Sequence, residues 1–393
     1  MNNKTIPLSV PNLSLDILEN VKETIETGWV STGGRFIHEF ESKIAKYVGV
    51  DKAIACQSGT AGLHLALRVL DIRHGDEVIV PTLTFIAAVN PVRYMGAEPI
   101  FMDCDDDLNM DMDKLEDFLE NECSYIDGKV INKKSKKVIK AIIAVHVFGN
   151  PVKIDRLIEI KNKYNLKLIE DATEALGSYY LEGEYADRHC GTVGDIGVYS
   201  FNANKILTTG GGGMVVSHNE QLLDKIAFLS VQAKTDPLYF THDEVGYNYR
   251  MTNIQAAFGT NQIDRLEAFI ETKIKNYNLY KKAIDNIEGL TLLPFRNDTR
   301  SNHWFYSVVV EKEKYGMNRN ELLLKLNDNN IQTRPLWGLI HKQKPYLGNQ
   351  GYKIEKAEFY EANLINIPCS SNLTRDEVEI VLENLRMLIR VKI

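Results

Sequence analysis

The sequence predicts an α/β protein. A large αβα domain with a mainly parallel, mixed sheet of about seven strands is followed by a small α+β domain. Three observations carry this. Short, almost wholly apolar runs recur between residues 50 and 220, helical patterns alternate with them, and the character changes after about residue 250. The runs are Ala53 to Gln57, Glu77 to Pro81, Pro99 to Asp103, Ile139 to Phe148, Leu166 to Asp171, Ile196 to Phe201 and Gly213 to Ser217. Continuous apolar runs suit strands covered on both faces. Helical stretches lie between them at Thr60 to Leu70, Ile86 to Met95 and Ile154 to Tyr164. The alternation is that of right-handed crossovers in a parallel sheet.

The polar stretch Asn121 to Lys140 carries six lysines and interrupts this pattern. It reads as an exposed loop or hairpin, either a solvated face or a contact for a phosphate or partner chain. Thr252 to Asn286 is a long helical pattern broken only by Gly259. Beyond it, Leu290 to Pro294, Trp304 to Val310 and Ile331 to Pro335 read as strands, and Arg319 to Asn329 as a helix. Thr374, with Glu377 three positions on, has the spacing of a capping box at the start of a last helix. The expected division is 1–250 and 251–393, since 393 residues exceed one ordinary core.

A formal charge of -7 excludes a surface that binds nucleic acid by counterion release. A local basic pocket is compatible with it. The five cysteines are scattered without a C-x-x-C pair, so no metal site is expected and a reducing compartment fits. The opening Met1-Asn2-Asn3-Lys4 begins no apolar signal region, and no run approaches the roughly 20 residues of a membrane helix. A cytoplasmic enzyme without membrane contact is expected.

Three blocks carry chemistry. In the first, Lys205 follows a strand and a polar loop and precedes four glycines, Gly210 to Gly213. That run is costly in backbone entropy, so a close backbone approach or an unusual turn is expected there. A P-loop places its lysine after the glycines, which excludes that reading. The second block is Ile169-Glu170-Asp171-Ala172-Thr173-Glu174, an acid pair at a strand end, either a helix cap or a ligand carboxylate. The third is Gln57-Ser58-Gly59-Thr60, a strand-to-helix junction that either caps the helix or receives an anion.

With Gly28 to Gly34, Asp76 to Phe85, Gly246 to Met251 and Thr333 to Pro335, these blocks resemble the DegT/DnrJ/EryC1/StrS sugar aminotransferases over nearly the whole length. The resemblance implies the fold type I architecture of pyridoxal 5′-phosphate (PLP) enzymes and amino transfer to a nucleotide-linked keto-sugar. It implies Lys205 as Schiff-base lysine and proton shuttle, and Asp171 against the pyridinium nitrogen. Ser58, Gly59, Thr60, Ser200 and Asn202 would line the cofactor site, with Phe85 stacked on its ring. Asn248 would reach the phosphate of a neighbouring subunit, which implies a homodimer. Arg250 and Arg334 would offer guanidinium forks to a phosphate or carboxylate. Glu174 stands where many members have glutamine. A carboxylate beside the cofactor's phenolic oxygen is expected to share or hold a proton.

A narrower resemblance rests on Glu170 to Glu174, Val145 to Asn150, Arg334 to His341 and the 121–140 insertion. It is to the aminotransferases of legionaminate and bacillosamine biosynthesis. It implies L-glutamate as donor, C4 of a UDP-2-acetamido-2,6-dideoxy-4-keto-hexose as acceptor, and Trp29, Trp337 and His341 on the substrate side, or in ordinary packing. GDP-perosamine and dTDP-4-amino-sugar synthases share most of the motifs. A sugar dehydratase of this scaffold has histidine in place of Lys205, and a non-catalytic regulator would not need Lys205, Asp171 and Thr60 together.

Overall fold

The computed structural model describes residues 5–236 and 238–389; the opening Met1–Lys4 lies outside them. All seven predicted strands form, as Ala53–Cys56, Glu77–Pro81, Glu98–Met102, Val138–Val145, Lys167–Asp171, Ile196–Ser200 and Gly213–Val216. They share one sheet in the spatial order 53–56, 213–216, 196–200, 167–171, 138–145, 77–81, 98–102. Five of them pair in parallel with one another, and Ala53–Cys56 runs in the same direction. Gly213–Val216 runs antiparallel to both of its neighbours, which makes the sheet mixed.

Alternate residues of these strands enter two apolar cores. Val78, Val80 and Ile169 pack on one face, Ile79 and Leu168 on the other. Coverage on both faces is why the runs contain so few polar residues. The 121–140 insertion is a hairpin, Cys123–Ile126 with Lys129–Asn132, that adds antiparallel to Val138–Val145. A two-residue strand, Gly351–Tyr352, pairs parallel with Glu98–Met102 at the sheet edge. With these three strands the sheet has ten.

Some elements differ from the sequence reading. Ile86 to Met95 is a 3-10 turn, Ile86–Ala88, followed by a short helix, Asn90–Tyr94. Pro91 lacks an N–H to continue the first turn and opens the second helix instead. The pattern at 252–286 is two helices, Asn253–Ile263 and Leu266–Ile284, that part at Asp264-Arg265 rather than at Gly259. Gly259 continues its helix because Phe40 and Thr209 lie where a side chain would go, with Phe40 Cζ 2.7 Å from an added Cβ. Thr252 and Gln255 form a capping box at the start of the first helix.

The C-terminal third carries a four-stranded antiparallel sheet in the order Leu290–Leu292, Tyr306–Val310, Leu364–Ile367, Arg334–Pro335. The predicted strand at 331–335 is confined to Arg334–Pro335, while Ile331 bridges to Ile6. Helix Arg375–Ile389 closes this part, and Thr374 and Glu377 exchange backbone N–H bonds as a capping box requires. No helix among the described residues is long and apolar enough to cross a membrane.

Candidate active site

A cavity of about 370 Å³ opens where the sheet's strands end. Ser58, Gly59, Thr60, Phe85, Asp171, Glu174, Ser200, Asn202, Lys205 and Trp337 all line it. Ser58 is extended, and its Oγ accepts the Ala61 N–H at 3.1 Å, capping helix Gly59–Val69. In that first turn the N–H groups of Gly59 and Thr60 have no preceding helical carbonyl, so they and the helix dipole can receive an anion. Capping and anion binding therefore occupy the same junction. A Cβ on Gly59 would meet Thr173 Cγ2 at 2.8 Å and Ser200 Cβ at 3.0 Å.

The glycine run has a structural reason on the same side. Gly212 sits at φ +146, and a Cβ on Gly213 would lie 2.6 Å from the Ser58 carbonyl carbon. Only a glycine strand can pass that close behind the anion-receiving junction.

The acid pair divides because successive strand residues face opposite ways. Glu170 is fully buried, pairs with His146 Nε2 at 3.0 Å, and accepts N–H bonds from Gly191 and Val193 at 2.9 and 2.8 Å. Asp171 faces the cavity. It is 3% exposed, and its Oδ1 accepts the Thr173 N–H at 3.1 Å. Burial, the largest influence on it, raises its carboxyl above the ordinary range.

Glu174 is held just as firmly. Its Oε2 accepts the Phe148 N–H at 2.8 Å, and its Oε1 lies 3.5 Å from Lys205 Nζ. Phe148 takes φ 55 to aim that N–H, an uncommon conformation for an aromatic residue. Burial pushes the Glu174 pKa up to about 7 although the nearby Lys205 ammonium opposes the shift. An amine, two carboxylates and an anion-receiving helix end thus share one enclosure.

The sequence profile of the DegT/DnrJ/EryC1/StrS aminotransferase family matches residues 11–386. The chain belongs to this family. The GDP-perosamine synthase of Escherichia coli O157:H7 is 36% identical, over 97% of this chain and 98% of that one. The GDP-perosamine synthase of Caulobacter vibrioides is 34% identical over 96% of each. The crystal structure of the aminotransferase TlmJ from Streptoalloteichus hindustanus superposes with a TM-score of 0.87 and 26% identity, over 98% of this chain and 99% of that one.

This sugar aminotransferase depends on PLP. Its donor set fits that cofactor. The 58–60 junction can take a phosphate, Asp171 a protonated ring nitrogen, and Lys205 an aldehyde. Phe85, half exposed, and Trp337 lie 6.3 Å apart between ring centroids at the cavity wall.

Five candidate residues stay outside the cavity. Arg250 Nη1 lies 2.6 Å from Glu41 Oε1 and donates to the Ala55 carbonyl at 3.3 Å, so it braces the strand before the phosphate junction. Arg334 is exposed, with Nη1 on the Thr333 carbonyl. Trp29 is 61% exposed, its carbonyl bonded by Asn253. His341 Nδ1 lies 2.6 Å from Thr82 Oγ1, behind the wall. Asn248 is exposed and bridges to Val231. Conversely, Trp304 and Phe305 line the cavity although their sequence reads only as strand. The signal was the aromatic pair itself, which stands just ahead of strand Tyr306–Val310.

The Glu174 shift has a measurable sign. Its folded pKa is raised from 4.5 to about 7, so the folded state holds the extra proton and stability falls as pH rises through that window. Glu174→Gln keeps an acceptor for Phe148 and removes the buried charge. In the cofactor-free protein it is expected to stabilise at pH 8 by on the order of 2 kcal/mol and to change little near pH 5. Urea unfolding at both pH values checks this; equal effects at the two would refute it.

Proposed function

We propose that this sugar aminotransferase moves an amino group from L-glutamate to C4 of a nucleotide-linked 4-keto-6-deoxy sugar. The acceptor in this reading is UDP-2-acetamido-2,6-dideoxy-4-keto-hexose, and the product is UDP-4-amino-4,6-dideoxy-N-acetylglucosamine. The observation that carries the reading is the meeting of Lys205, Asp171 and the Ser58-Gly59-Thr60 junction in one cavity.

Bound PLP supplies an electron sink that stabilises negative charge at the carbon losing its proton. The chain supplies the rest. Ser58, Gly59, Thr60, Ser200 and Asn202 hold the phosphate end. Asp171 would be held ionised by a cationic ring nitrogen, which opposes the burial that raises its pKa. Lys205 tethers the cofactor and then moves the proton between donor and cofactor carbons. Glu174 holds a proton beside the phenolic oxygen, so Glu174→Gln should flatten the pH dependence of the bound cofactor's absorbance.

The chain acts as a homodimer in which Asn248 of each copy completes the other's phosphate site. Its exposed position supports this, as do Leu238, Tyr239 and Val245 nearby in sequence, each more than 70% exposed. Full activity from a species that sediments as a monomer would overturn it. The bulky ring of Trp337 faces the sugar, and the product feeds an amino sugar into a surface glycan.

The two perosamine synthases support a second reading, in which the acceptor is GDP-linked. Incubation with glutamate and a panel of UDP-, dTDP- and GDP-4-keto-sugars separates the two. Fastest turnover of the UDP-N-acetyl substrate is expected; faster turnover of a GDP or dTDP substrate would overturn that choice.

A further inference from the structure

The Lys205 ammonium lies 4.0 Å from the centre of the Trp304 ring, on the indole face. A desolvated cation over that face is attracted by the ring quadrupole. The ring is 2% exposed and stacks on Phe305 at 4.2 Å with 8° between the planes. Its Nε1 donates to the carbonyl of Asn204, the residue before the lysine, at 2.9 Å.

Fully buried Asn302 fixes the backbone that carries the ring. Its Oδ1 accepts the Trp304 N–H at 3.0 Å, and its Nδ2 donates to the carbonyls of Glu174 at 2.8 Å and Leu176 at 3.0 Å. The ring is therefore bonded to the Lys205 loop, while the Trp304 backbone is tied through Asn302 to the Glu174 loop. The lysine's free end rests between an indole face and a carboxylate.

We propose that Trp304 is the positioning residue of Lys205: its ring face is the station that keeps the lysine inside the cavity whenever it is not bonded to the cofactor. The proposal rests on the assignment of Lys205 above. Amino transfer frees the lysine in the first half-reaction and leaves it free until the end of the second, and both halves need its amine within reach of the carbon that exchanges a proton. A long, flexible side chain has many rotamers that point elsewhere. A flat ring and a carboxylate on two sides leave it few.

The test uses cofactor-free protein and free PLP. At saturating PLP, the first-order growth of visible absorbance reports capture of the aldehyde by the Lys205 amine, with loss of one water. Trp304→Leu removes the ring face, and Trp304→Phe keeps a face without the Nε1 donor. Capture is expected to slow at least tenfold in the leucine variant and less than threefold in the phenylalanine variant. The PLP concentration dependence should stay unchanged, and kcat should fall without a rise in KM for glutamate.

Thermal melting of the cofactor-free variants checks folding, and Trp304→Met replaces the leucine variant if that one does not fold. Capture at the wild-type rate in the leucine or methionine variant would overturn the proposal. Equal slowing in the phenylalanine variant would also overturn it, since the effect would then belong to the bond to Asn204. Wild-type protein that develops no band at all is a different result, which removes the assignment of Lys205 and this proposal with it.

Discussion

Lys205→Ala is expected to reduce amino transfer by at least about 10⁴-fold, because one side chain serves as both tether and acid–base catalyst. The visible band that PLP acquires on wild-type protein should be absent from the variant. The fold should survive. Lys205 belongs to a loop, and its charged end lies on the Trp304 face and 3.5 Å from the Glu174 carboxylate. Without that ammonium the Glu174 carboxyl loses an influence that lowers its pKa, so it takes up a proton more readily. A melting temperature within a few degrees of wild type, with no visible band and no turnover, is the expected combination. Residual turnover above one hundredth of wild type would show that another group moves the proton.

Much of this site was legible because its signals are local. Ser58, Asp171 and Lys205 each stand at the end of an apolar run, where a strand stops and the backbone opens toward a ligand. The glycines at 210–213 announced a close approach, and the contact is with the Ser58 backbone. The pairing of Arg250 was not legible, for the opposite reason. Its Nη1 meets Glu41, 209 positions earlier (250 - 41), and no local pattern shows that contact. Trp304 is similar, since Asn204 and Lys205 meet it from a hundred positions away.

Strand direction was not legible at Gly213–Val216, because an apolar run reads alike in either direction. Gly351–Tyr352 joins the main sheet through two residues, too few for any period to show. At Gly259 the local rule gave the wrong helix break, because tertiary packing against Phe40 requires a glycine there.

Asp171→Asn should separate stability from catalysis. The asparagine keeps an oxygen to accept the Thr173 N–H at 3.1 Å, and it fills almost the same volume. It removes a carboxylate whose ionisation burial opposes. Because the folded-state pKa is raised, that ionisation costs stability as pH rises above the ordinary value of 3.8 and through the folded value. The cofactor-free variant should therefore be at least as stable as wild type at pH 7, and urea unfolding measures this. The loaded enzyme should respond in the other direction. A neutral amide cannot hold the ring nitrogen protonated, so the electron sink weakens and kcat should fall by on the order of 10² to 10⁴-fold. PLP should still be captured by Lys205, since the anion-receiving junction and the amine are untouched, and the loss should appear in kcat rather than in occupancy. An Asp171→Asn protein that is clearly less stable without cofactor, yet turns over near the wild-type rate, would place this carboxylate in the scaffold and not in the chemistry.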